Sequence, residues 1–178
     1  VSTLRGAREG TYAAKLLLPV PDRDFDTTEV AVPWRLLTDR GHTVTFATEE
    51  GGSAPECDPR LLHGVLVPAR TLDPVTGRSV LADRRTTCLP KGMERAAYYA
   101  TAWRLGRYYR TYPAYVEDEV RAVLAAPEQF ERGPRSLSRG TATDHSEAFV
   151  VEDGSYVSAR RPGDAYLFTE RFDALLTQ

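Results

Sequence analysis

Glu29 follows the polar stretch Pro21-Asp22-Arg23-Asp24-Phe25-Asp26, which itself ends a mostly apolar run, so it stands where a strand gives way to a helix. Ligands of open α/β sheets collect beyond the carboxyl ends of the strands. A carboxylate there can serve as general acid or base, or can orient a thiol. The same spacing also suits a capping box, with Asp26 capping the helix and Glu29 reaching back to its amide. Functional carboxylates are rarer than capping ones, and spacing alone favours the cap by about two to one.

His63 lies in an apolar run before Gly64, and an imidazole beside a cysteine could act as its base. The residue before it is Leu62, which has no reactive group. Of the two cysteines, Cys57 sits between Glu56 and Asp58, whose charges oppose thiolate formation. Cys88 precedes Leu89-Pro90, a pair that favours extended backbone over the helix start a nucleophile turn needs. Neither is expected to be a nucleophile. Asp144-His145 is a further acid–imidazole pair, although neighbours on a strand point to opposite faces and need not cooperate. The aromatic group Tyr98, Tyr99, Trp103, Tyr108, Tyr109, Tyr112 and Tyr115 reads as core or interface that could also wall a pocket. Dinucleotide, phosphate-loop, zinc-protease and calcium-loop motifs are all missing, and neither a cofactor nor a metal is expected.

These residues need a scaffold. Residues 13–20 (Ala-Ala-Lys-Leu-Leu-Leu-Pro-Val) read as a strand buried on both faces. A helical pattern runs through Val32, Leu36 and Leu37 to Gly41, and residues 43–47 (Thr-Val-Thr-Phe-Ala) alternate like a second strand. Strand, helix, glycine and strand in that order make a βαβ unit, which predicts two neighbouring parallel strands. Residues 61–69 are ambiguous between strand and helix, and residues 85–88 form a short strand candidate. Helices are expected over 91–109, 115–125 and 165–176. Residues 148–151 and 155–158 read as strands around the Asp153-Gly154 turn, with Val150 and Val157 pointing inward.

The chain of 178 residues suits one domain, 1–178, with residues 1–11 frayed. A net charge of −2 argues against a nucleic-acid binder that works by neutralising phosphates. No apolar run is long enough for a membrane helix, and a cytoplasmic protein fits.

Residues 18–48 carry Leu-Pro-Val-Pro-Asp-Arg-Asp-Phe-Asp, then Glu-Val-Ala-Val-Pro-Trp, then Gly-His-Thr-Val-Thr-Phe-Ala-Thr. This opening resembles that of the ThiJ/PfpI family, within the class I glutamine amidotransferase-like superfamily. The spacing from Glu29 to Pro33 to Gly41 is similar to the family's first helix, whose Glu contacts the catalytic thiol. His63-Gly64-Val65-Leu66-Val67 resembles the residues just after the nucleophile in the family's Cys-His-Gly elbow. Arg84-Arg85-Thr86-Thr87, and Asp153-Gly154-Ser155-Tyr156-Val157-Ser158-Ala159-Arg160 with Pro162-Gly163, are similar to its later strands and final helix. The elbow cysteine, the Gly-Gly-His oxyanion segment and the strands between them are missing, because Leu62 runs directly into His63.

The resemblance implies an α/β, flavodoxin-like three-layer sandwich with a mainly parallel sheet, truncated relative to the family. It implies supporting catalytic roles for Glu29 and His63 and binding roles for Asp24 and Gly64. Two functions are then open. The first is a non-catalytic homologue acting as a small-molecule-binding or oligomer-forming module. Its ligand would carry a carbonyl or amide, and a homodimer would cover the exposed sheet edge and apolar face. The alternative is a cysteine-dependent amidase, peptidase-like hydrolase or glyoxalase-like enzyme, which needs a nucleophile-bearing segment between Leu62 and His63.

Overall fold

The computed structural model describes residues 13–52, 54–57, 69–107 and 113–177, with Asp24, Glu56 and Cys57 described by backbone alone. The Leu62–His63 junction, residues 61–67 and the amino-terminal residues 1–11 lie outside them, whereas the helix expected over 91–109 is seen to stop at Leu105.

The apolar run becomes strand β1 (Lys15–Pro19), followed by the short β2 (Arg23–Phe25). Helix α1 (Thr27–Asp39) returns the chain to β3 (Thr43–Ala47), which pairs with β1 in parallel from Lys15 opposite Thr43 to Pro19 opposite Ala47. This is the βαβ unit expected from the pattern. Asp26 starts the helix by accepting the amides of Thr28 (2.7 Å) and Glu29 (3.1 Å) on Oδ1. Gly41, at φ +91°, ends it by taking a left-handed turn that a side chain would resist. A second parallel pair joins β2 to β4 (Glu56–Cys57).

The expectation that β1 is buried on both faces is corrected. Trp34 of α1 lies 6.3 Å from the Phe46 ring, which marks the covered side of the pair, and Leu16, Leu18 and Val44 on that side are half-buried. Leu17 points the other way and is 67% exposed. Side chains alternate along a strand, so one helix can cover one face only. Among the described residues the parallel pairs have two strands each, and the mainly parallel three-layer sheet is seen only in part.

The best-packed core lies elsewhere. Ala69, Leu81, Cys88, Val116, Val120 and Phe130 form it, with Val123, Leu124 and Tyr156 packed against them. Residues 85–88 are not the expected strand. Thr86 makes a single parallel bridge to Phe130, while the Thr87 amide donates to Ser158 Oγ (3.0 Å) and the Thr86 hydroxyl meets the Tyr156 hydroxyl (2.8 Å). The Thr86 amide and carbonyl pair with the backbone of Gln129 (2.8 Å) and Glu131 (2.9 Å), but on either side the Arg85 and Thr87 amides go to the side chains of Asp153 and Ser158, so the ladder stops at one residue.

Helices α2 (Lys91–Leu105) and α3 (Val116–Val123) start at Pro90 and Tyr115, neither of which caps with its side chain. Each borrows a carboxylate instead. Glu117 of α3 accepts the Lys91 amide (2.8 Å), and Glu94 of α2 accepts the Val116 amide (3.1 Å). Both glutamates are buried, and each places negative charge at the positive end of the other helix. Gly106, at φ +58°, caps α2 after Leu105.

Strands β5 (Val150–Asp153) and β6 (Tyr156–Ala159) form the expected hairpin, with Gly154 at φ +59° in its turn. Its inward residues are Val151 and Ser158, a cross-strand pair. Val150 and Val157 lie on the opposite face and are only half-buried, which corrects the sequence reading. Helix α4 (Ala165–Leu176) closes the chain and packs along α1. Among the described residues no helix is long and apolar enough to cross a membrane.

Arg160 is buried and pairs with Asp164, which has no exposed surface. Its guanidinium donates to both Asp164 oxygens (3.1 Å each), to the Pro134 carbonyl and to the Glu147 carbonyl (3.2 Å). It also stacks 5.0 Å from the Phe149 ring. One side chain thus ties the long loop before the hairpin to the start of α4. Removing one partner of a buried pair leaves an uncompensated charge. Arg160→Leu should therefore lower stability by about 3–5 kcal/mol in urea unfolding, and adding Asp164→Asn should recover part of that loss.

Candidate functional site

The carboxyl end of β1 is extended by the Val20 amide, which donates to Ala47 O (2.8 Å), before the chain leaves the sheet at Pro21. Asp22, Asp26 and Glu29 come next, and Asp164 approaches from the start of α4. The Asp26 cap exists, yet Glu29 makes no return bond to the Asp26 amide among the described residues, so the box is only half formed. Pro33, four residues on, has no N–H to give the Glu29 carbonyl, so the backbone there lacks one helical bond.

Glu29 is half-buried, and its carboxyl pKa is pushed up to about 8. Loss of water around it is the largest cause, followed by the carboxylates of Asp26 and then Asp164. The two neighbours have hydrogen-bond donors that Glu29 lacks among the described contacts. Asp26 accepts two amides at the helix start. Asp164 accepts the amides of Phe149 (3.1 Å) and Arg160 (3.2 Å) besides the Arg160 guanidinium. Glu29 is left to hold a proton at neutral pH. A neutral carboxylic acid can donate a hydrogen bond to a carbonyl oxygen, which a carboxylate cannot.

The other expected residues divide. His63 and Gly64 lie outside the described residues. Asp24 is on β2, where only its backbone is described. Asp144 and His145 do not work together. Asp144 accepts the Ser146 amide (2.9 Å), while His145 Nδ1 meets Glu170 of α4 at 3.1 Å. Cys88 is buried, and loss of water followed by Glu117 and Glu94 pushes its thiol well above the usual range. Both causes oppose thiolate formation. Among the described residues no group of three or more metal-ligating side chains comes together.

Sequence reasoning passed over His42. Its Nδ1 accepts the Ala14 amide (3.0 Å), and its Nε2 therefore donates to Asp173 of α4 (2.7 Å). Buried at the head of β3, it joins the sheet to the same helix that brings in Asp164. Its position directly after the helix-ending Gly41 was the only available signal. Asp164 was equally silent, although Arg160 and Asp164 stand four residues apart.

Residues 20–73 match the family described as ThiJ/PfpI family-like. Over that stretch the chain is similar to the ThiJ/PfpI family. The match spans the Glu29 helix and β3 beyond it. The fold is similar to that of Rapid Encystment Protein from Francisella tularensis, at 12% identity and TM-score 0.63, over 93% of this chain and 99% of that one. It is also similar to glyoxalase III from Candida albicans, at 12% identity and TM-score 0.56, over 92% and 97%. Identities this low speak of fold alone. No curated protein matches the chain.

The raised Glu29 pKa links stability to pH. The folded chain holds this proton up to about pH 8, whereas the unfolded chain releases it near 4.5. The stabilising contribution is therefore complete below about 4.5 and falls away as pH rises towards 8. After allowance for partial exposure, the loss should be roughly 1–3 kcal/mol. Glu29→Gln should flatten that slope in urea titrations from acid to alkaline pH and be the more stable form at pH 9.

Proposed function

We propose that the chain is a non-catalytic ThiJ/PfpI-like binding module. It holds a small carbonyl- or amide-bearing molecule beyond β1, with Glu29 donating a hydrogen bond to the ligand oxygen. The observation that carries this reading is the Glu29 carboxyl beyond β1, pushed up to about 8 by loss of water and then by Asp26 and Asp164. Covalent chemistry needs a thiolate, and Cys88 is buried beside two glutamates that oppose one. His63 and Gly64 join the site in this proposal as neighbours of the ligand, with Asp24 at its rim. A flavodoxin-like three-layer domain over 1–178, with a shortened parallel sheet, is the scaffold proposed for it.

The alternative is a cysteine-dependent, glyoxalase-like or amidase-like enzyme, and the fold likeness to the Candida protein is what favours it. Two measurements separate them. Titrating amides and methylglyoxal against isotopically labelled protein should move the amide signals around Glu29 saturably. Glu29→Ala should abolish that response, and methylglyoxal should be recovered unchanged. Turnover that disappears in Cys57→Ser would establish the enzyme instead.

The bare face of the β1–β3 pair supports a homodimer as part of the same proposal. Leu17 stands in water there, and burying it against a second copy gives back roughly 1–2 kcal/mol per subunit. Light scattering should show a dimer at micromolar concentration and a monomer for Leu17→Glu. A wild-type chain that stays monomeric would refute the dimer.

A further inference from the structure

Helix α2 is anchored at its first turn, where Glu94 and Lys91 join it to α3. Beyond that turn its outer face is open. Arg95, Tyr99 and Trp103 succeed one another at intervals of four, and Arg104 flanks them. Tyr99 is 64% and Trp103 82% exposed. The face is partly ordered before anything binds it. The Arg95 guanidinium lies 6.0 Å over the Tyr99 ring, and Trp103 Nε1 donates to Ala100 O (3.1 Å) of its own helix.

The charge on this face has one sign. Glu94, the helix's acidic residue, is buried and bound to the Val116 amide. The exposed ionic residues are Arg95 and Arg104, with Arg107 just past the end. Tyrosine, tryptophan and arginine without lysine or acid is the composition of the centre of a protein interface. We propose that the outer face of α2 docks an acidic amphipathic helix of another protein.

Charge complementarity selects that occupant. A second copy laid on the same face would set arginine against arginine. The acids next along the surface, Asp118 and Glu119, are already paired with Lys91 and Arg70. A lipid surface would want Trp103 joined by a stripe of Leu or Phe to insert, and the face has none beside it. A nucleic acid would meet a chain of net charge −2. The small Ala96 and Ala100 let a facing helix approach closely, with its apolar stripe against Tyr99 and Trp103 and its carboxylates on the arginines. Fifteen residues give a seat about 22 Å long, roughly four turns of the partner.

The test uses the intact chain and two fluorescent helix-forming peptides. Both carry a Leu/Ala stripe, flanked by glutamates in one and by lysines in the other. Anisotropy should show saturable, salt-sensitive binding of the glutamate peptide alone. Trp103→Ala and Arg104→Glu should each weaken it about tenfold or more, with an unchanged circular dichroism spectrum. The proposal is overturned if the glutamate peptide does not bind, if the lysine peptide binds as well, or if neither substitution matters. It is equally overturned if Trp103 is protected instead by self-association, by oligothymidylate or by phosphatidylserine vesicles.

Discussion

Asp164 has no exposed surface and accepts four hydrogen bonds from Arg160 and Phe149. That one buried carboxylate organises the molecule. Through Arg160 it fixes the loop ahead of the hairpin, and through its place at the head of α4 it sets the helix that packs on α1. Its field also reaches Glu29. Burial does most to raise the Glu29 carboxyl, Asp26 comes second, and Asp164 adds the smallest share. A structural ion pair thus contributes to the chemistry proposed for the site, behind burial and Asp26.

Helix α4 reaches the amino-terminal βαβ unit at two heights. Near its start Asp164 lies by Glu29, and near its end Asp173 takes the His42 proton donor and pairs with Arg40 at 3.3 Å. The imidazole accepts the Ala14 amide on its other nitrogen, which registers the sheet against the helix. The result is a rigid frame around the β1 end, where a ligand-facing carboxyl would have to be held still. Borrowed caps between α2 and α3 do the same for the other half of the chain.

The βαβ unit, the hairpin and the last helix were legible because each rests on local rules: an apolar run, an Asp26 cap, a Gly41 stop, an Asp153-Gly154 turn. The failures were non-local. Residues 85–88 look extended, yet only Thr86 pairs with backbone, at Gln129 and Glu131, while its neighbour Thr87 turns to the side chain of Ser158, some seventy positions away. The reading of β1 as buried on both faces came from composition, which cannot say how many helices are on hand to cover a sheet. At the site, spacing placed Glu29 beside the β1 end but could not choose between cap and acid. What distinguishes them is the loss of water around the carboxyl, with Asp26 and then the remote Asp164 adding to it, and the resemblance marked only the segment nearby.

The central claim is that Glu29 carries a proton at neutral pH. Carbon-13 labelling of glutamate carboxyls, with Glu29→Gln to assign the signal, reads its titration directly. The midpoint should lie near 8 and move down in Asp164→Asn, as one of the opposing charges is removed. A midpoint near 4.5, unaffected by that substitution, would contradict the claim and return Glu29 to an ordinary surface carboxylate.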